Sequence, residues 1–132
     1  MKPKIDFITL AVNDLSKSIA FYRDGLGMPT EGVKETFSDH CLFELERGFS
    51  LVLYQRETFL GFSGGRGQQE NSAGFIISYF AENNEEVDAI LQAALKAGGT
   101  QIGEAKEEPW GYTANFADLD GHQWEITCIT QD

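Results

Sequence analysis

Residues 5–28 read IDFITLAVNDLSKSIAFYRDGLGM. Ile8, Leu10 and Val12 alternate with Phe7, Thr9 and Ala11, which is the period of a β-strand, so the reading predicts a strand over Ile5–Val12. Asn13-Asp14 then offers side-chain oxygens to the first free N–H groups of a helix. Leu15, Ile19, Tyr22 and Leu26 follow at spacings of four, three and four, which places them on one helical face. Gly25 and Gly27 supply residues that tolerate the positive φ at which helices stop.

Three strand-like runs come next, at about Gly32–Phe37, Cys41–Leu45 and Phe49–Tyr54, with Gly48 as the turn before the last. The same order then recurs. A strand is predicted over Phe75–Phe80, and Asn83-Asn84 caps a helix that carries Glu85 and Glu86 in its first turn, the sign its dipole favours. The apolar face of that helix is Val87, Ile90, Leu91, Ala94 and Leu95, and Gly98-Gly99 ends it. Strands are predicted at Gln101–Ala105, Tyr112–Ala117 and His122–Thr127, the last two joined through an Asp120-Gly121 turn. The chain therefore reads as an α+β protein of two tandem βαβββ modules in one domain over residues 1–132. Module one spans 1–56, a connector 57–73, and module two 74–132. The Gly-rich stretch Gly61–Ser72 (GFSGGRGQQENS) reads as a loop and lacks the glycine spacing of a phosphate cradle.

Aligning the turn glycines sets Gly48–Tyr54 against Gly121–Thr127. Leu51 and Leu53 then match Trp124 and Ile126, the set expected beneath the helices. Ser50, Val52 and Tyr54 match Gln123, Glu125 and Thr127, the set expected on the opposite sheet face.

The chain has 132 residues, enough for a core without disulfides or metals. Its formal charge of −11 disfavours nucleic acid and anionic membranes, whose binders rely on Lys and Arg. Cys41 and Cys128 form no CxxC pair and lie among apolar residues, so both are expected to be buried free thiols. No run is apolar enough for a signal peptide or a membrane span, so the cytoplasm is the expected location.

Several motifs together resemble the vicinal oxygen chelate superfamily of glyoxalase I, bleomycin-resistance proteins and extradiol dioxygenases. They are Leu10-Ala11-Val12-Asn13-Asp14-Leu15, Ser18-Ile19-Ala20-Phe21-Tyr22, Gly25-Leu26-Gly27-Met28 and the run Phe116–Glu125, in which Leu119 stands where the family usually has proline. The resemblance implies curved mixed sheets around a cleft. In metal-dependent members, four His, Gln or Glu ligands stand on the cleft wall, one each from the first and last strand of each module. Carried onto this sequence, those positions are Phe7, Phe75, Val52 and Glu125. Phe and Val have no lone pair to donate, and one carboxylate does not hold a divalent ion tightly, so no metal and no other cofactor is expected.

The candidate ligand-binding set is Phe7, Thr9, Val52, Tyr54, Phe75, Ile77, Trp110, Tyr112 and Glu125, with Glu125 also the one candidate for acid–base chemistry. Tyr79 is a further candidate for this wall. An aromatic ligand would stack against such a wall, and a cation would gain from the rings and the acidic field. His40 and His122 read as turn residues exposed to solvent. The expected function is metal-independent binding of a small aromatic or hydrophobic molecule by a homodimer. The alternatives are a metal-dependent lyase or dioxygenase of the same superfamily and an interaction module with a closed cleft.

Overall fold

Two side-chain caps start the two main helices. The Asp14 carboxylate accepts from the Lys17 N–H at 3.1 Å, and Asn83 Oδ1 accepts from the Glu86 N–H at 2.8 Å. Each satisfies a donor that the helix itself leaves unpaired. Glu86 reaches back to the Glu82 N–H at 2.7 Å, which fixes the entry of the chain into the second helix. The computed structural model describes residues 1–33, 38–65 and 74–129 and divides into two units, Met1–Glu70 and Asn71–Asp132.

The first unit holds strand β1 (Phe7–Val12), helix α1 (Leu15–Ile19), strands β2 (His40–Glu44) and β3 (Ser50–Gln55), and helix α2 (Arg56–Ser63). Helix α1 runs on into a wider π-helical turn over Ala20–Gly25, closed by Leu26 N–H to Phe21 C=O at 3.0 Å, and Gly27 at φ 80° ends it. The sheet order is β1-β3-β2, with β1 parallel and β2 antiparallel to β3. Leu10, Val12, Cys41, Phe43, Leu51 and Leu53 are all at most 2% exposed and pack with Ile19, Phe21 and Tyr22.

The second unit holds β4 (Ile77–Phe80), α3 (Asn84–Lys96), β5 (Thr100–Glu108), β6 (Gly111–Ala117) and β7 (Gln123–Ile129), in the sheet order β4-β7-β6-β5. Here β4 is parallel to β7, and the other pairs are antiparallel. Val87, Leu91 and Ala94 of α3 cover Ala114, Phe116, Trp124 and Ile126, and the Phe116 and Trp124 rings stack with centroids 6.2 Å apart. Leu51, Leu53, Trp124 and Ile126 are thus core residues, as the alternation predicts.

Two predicted elements differ in kind. The run expected as a strand at Gly32–Phe37 is not one at Gly32 and Val33, and its remainder lies outside the described residues. The connector expected as loop begins with helix α2, because Phe59 and Phe62 stand one turn apart and Phe62 meets the Tyr54 ring edge-on at 5.0 Å. Gly64, at φ 71°, ends that helix, and residues 66–73 lie outside the described set.

Candidate functional site

Each sheet packs one face against α1 or α3, and on the other face of the first sheet helix α2 reaches one corner, where Phe62 meets Tyr54. In the first unit, Thr9, Val52 and Leu42 are direct cross-strand partners on the face opposite α1. Phe7, Ser50 and Glu44 form the next row on one side, and Ala11, Tyr54 and His40 the next on the other. Four predicted residues, Phe7, Thr9, Val52 and Tyr54, are therefore brought together. Val52 sits at the centre, 6% exposed, while Phe7 at the edge is 58% exposed.

His40 joins this face, contrary to the expectation of an exposed turn residue. It opens β2, stacks on Tyr54 with centroids 4.6 Å apart and an interplanar angle of 19°, and its Nδ1 lies 2.9 Å from Asp39 Oδ1. That hydrogen bond, opposed by partial desolvation, leaves the Asp39 carboxyl below its ordinary value. Beside β2 lies a hollow of about 680 Å³ whose wall includes Thr30, Glu31, His40, Leu42 and Glu44. The Thr30 hydroxyl donates to the Leu42 carbonyl at 2.6 Å, which holds the strand edge against this hollow.

In the second unit, the row across β4, β7 and β6 is Ser78, Glu125, Asn115. The Ser78 hydroxyl donates to Glu125 Oε1 at 3.2 Å, and Gln123 Nε2 donates to Asn115 Oδ1 at 3.2 Å. Glu125 is half-buried. The other residues predicted for this face are elsewhere. Ile77 pairs with Trp124 and shares its helix side. Tyr112 donates its hydroxyl to Asp88 of α3 at 2.6 Å, and Tyr79 donates to Glu86 at 2.9 Å, so both rings also lie on the helix side. Phe75 precedes β4 and is 40% exposed, and Trp110, 44% exposed, stands in the turn before β6.

The structure thus shifts the second module by one residue. Glu125 pairs with Ser78 as Val52 pairs with Thr9, so the position equivalent to Phe7 is Ile76 rather than Phe75. A one-residue slip exchanges the two faces of a strand. The caps carry the signal that finds it, because Phe7 lies seven residues before Asp14 and Ile76 seven before Asn83. The four family ligand positions therefore hold Phe7, Val52, Ile76 and Glu125, and this donor set does not fit a divalent ion.

His122 also differs from its predicted solvated place, being 5% exposed. The turn after β6 draws it inward. Asp118 Oδ1 accepts from the backbone N–H groups of Asp120 and His122 at 2.9 Å each, and Asp118 Oδ2 meets His122 Nδ1 at 2.7 Å. Ligand atoms of Asp118, Asp120 and His122 all lie within 4.8 Å of one another. Both Asp118 oxygens are already committed to the turn, so the cluster reads as a latch between β6 and β7. Cys41 is buried, as expected, whereas Cys128 is only half-buried. Among the described residues, no helix is long and apolar enough to cross a membrane.

The two units make this a mixed α+β protein with a repeated module, each copy carrying a mixed sheet with one face turned away from its α1 or α3 helix. The chain belongs to the Glyoxalase/Bleomycin resistance protein/Dioxygenase superfamily, whose model matches residues 4–126. Among solved structures, it is similar to a glyoxalase-related enzyme from Fulvimarina pelagi, with 24% identity and a TM-score of 0.84 over 96% of this chain and 88% of that one. A hypothetical protein from S. aureus is 28% identical, with a TM-score of 0.83 over 97% of this chain and 95% of that one. A glyoxalase/bleomycin resistance protein/dioxygenase family enzyme from Burkholderia phytofirmans PsJN has 16% identity and a TM-score of 0.80, over 95% of this chain and 98% of that one. No curated protein is significantly similar to the chain.

Proposed function

We propose that this protein binds a small aromatic or hydrophobic molecule on the sheet faces opposite α1 and α3, without a metal. The observation that supports this reading is the row structure of the first sheet. Phe7, Thr9, Val52, Leu42, Tyr54 and His40 together present a wall mostly of carbon and aromatic rings where metal-dependent relatives need donor atoms. Such a wall gains by removing apolar ligand surface from water and by ring stacking.

Calorimetry with a neutral bicyclic probe such as 2-naphthol tests the reading. Phe7→Ser is expected to weaken binding by about tenfold, near 1.4 kcal/mol, with the fold unchanged by circular dichroism. Elemental analysis of protein purified without chelators is the second arm. A stoichiometric divalent ion, or no response to any neutral aromatic probe, overturns the reading. A homodimer belongs to the same proposal, since Phe7, Ile76 and Phe80 on the outer strands β1 and beside β4 are 58%, 51% and 72% exposed. Light scattering that gives a monomer mass at micromolar concentration would remove that part alone.

A further inference from the structure

Among the described residues, no basic group on its own sheet face pairs with the Glu125 carboxylate. Its direct neighbours are neutral: Ser78 on β4 and Asn115 on β6. Gln123 and Thr127 flank it along β7 at the next positions on the same face. The register places one basic residue on this face, Lys106, and its Nζ lies 3.1 Å from Glu108 Oε1. Among the described residues, no ion pair includes Glu125, and its one side-chain hydrogen bond is the Ser78 hydroxyl on Oε1. A half-buried carboxylate loses hydration and regains it only from donors, best of all from charged ones.

We infer that Ser78, Glu125 and Asn115 form a subsite for an organic cation that carries N–H donors and an apolar body. This rests on the reading above that a small molecule occupies these sheet faces, and it names the chemistry that the second unit's face takes. Ser78 is the positioning residue: its hydroxyl holds one carboxylate oxygen, which, among the described residues, leaves Oε2 without a protein partner and open to the ligand. Asn115 is turned by Gln123, whose amide donates to its Oδ1, so the row has a fixed hydrogen-bonding edge. The apolar part of the ligand has its counterpart on β4 and just before it, where Ile76 and Phe80 stand two residues either side of Ser78, 51% and 72% exposed. A bare divalent ion is a poorer fit, because Asn115 Oδ1 is already accepting and Glu125 is the one anionic donor in the row. The formal charge of −11 adds a long-range attraction for cations that salt screens.

The test compares three probes of one shape on the full chain by calorimetry at low and high salt: benzamidinium, benzamide and benzoate. Benzamidinium is expected to bind about tenfold more tightly than benzamide, with benzoate weakest. Glu125→Gln is expected to bring benzamidinium and benzamide within about twofold of each other, since it keeps the shape and removes the charge. Ser78→Ala is expected to weaken benzamidinium alone by several-fold, and Ser78→Thr to restore it, a rescue that a merely space-filling serine would not show. Equal affinities for benzamidinium and benzamide in the native protein overturn the inference. So does a cation preference that survives Glu125→Gln, or no benzamidinium binding at all. In each of those cases, binding of neutral 2-naphthol shows that the broader function reading still stands.

Discussion

Nδ1 of His122 lies 2.7 Å from Oδ2 of Asp118, with the two side chains 6% and 2% exposed in the turn between β6 and β7. Asp118 also holds the backbone N–H groups of Asp120 and His122, and its own N–H donates to the His122 carbonyl at 2.9 Å. One carboxylate thus closes the hairpin that carries Glu125 three residues beyond His122, near the start of β7. Asp118→Ala would leave two backbone donors and a buried imidazole without their acceptor. The expected loss is about 3 kcal/mol of stability, measured as a shift in the urea midpoint at unchanged slope. Asp118→Asn keeps one acceptor oxygen and is expected to lose less. A loss under about 0.5 kcal/mol for the alanine variant would mean that the turn closes without the latch.

Glycine substitutions separate backbone need from tolerance. Gly111 opens β6 at φ 153°, and a Cβ built there would stand 2.1 Å from the Cys128 carbonyl oxygen on the paired strand. Gly111→Ala must therefore push β6 and β7 apart and is expected to cost at least about 2 kcal/mol. Gly61 sits inside α2 with nothing within 4 Å of its would-be Cβ and an ordinary helical φ. Gly61→Ala is expected to stabilise by about 0.5–1 kcal/mol, by reducing the freedom of the unfolded chain. Thermal melts of the two variants side by side check both signs.

The alternation of Leu10, Val12, Leu51, Leu53, Trp124 and Ile126 was enough to place the core and both sheets, because burial on one face dictates a period of two. The first-unit wall followed from the same pattern. The second did not, because Phe75–Phe80 is apolar at nearly every position and so offers no alternation to fix its faces. A glycine anchor there sets Phe75 and Ile77 on the wrong side, whereas the Asn83 cap gives the register that the β4–β7 pairing shows. Ser78 and Asn115 became candidates only through that register, since neither stands out as a residue type. His40 and His122 escaped for a different reason. Their places depend on Asp39 with Tyr54 and on Asp118, partners whose geometry no spacing rule encodes.

The two thiols should differ in reactivity. Cys41 is 1% exposed, its Sγ lies 3.2 Å from Thr30 Oγ1, and burial raises its pKa above the ordinary value. Reaction needs both access and the thiolate, and Cys41 lacks both in the native state. Cys128 is half-buried near the end of β7. Ellman titration of native protein is expected to count one rapid thiol, lost in Cys128→Ser, with Cys41 appearing only on unfolding. Two rapid thiols in the native protein would contradict the packing of β2.

The hydroxyl of Tyr112 donates to Asp88 Oδ1 at 2.6 Å and so ties β6 to α3. This hydrogen bond, with partial desolvation and the negative charges of Asp88 and Glu107, holds the phenol pKa above its ordinary value of 10.0. The neutral form is the donor, so the folded state favours it more than the unfolded state does. The bond's contribution to stability is therefore complete below the unfolded value near pH 10 and is lost as pH rises through the higher folded value. Absorbance titration at 295 nm is expected to show Tyr112 ionising late, and Asp88→Asn to bring it earlier. In paired urea titrations, the stability difference between the native protein and Tyr112→Phe should stay constant from pH 7 to pH 9 and then shrink as the phenol ionises. A difference that grows above pH 10 would mean that the phenolate, not the phenol, is the form the fold prefers.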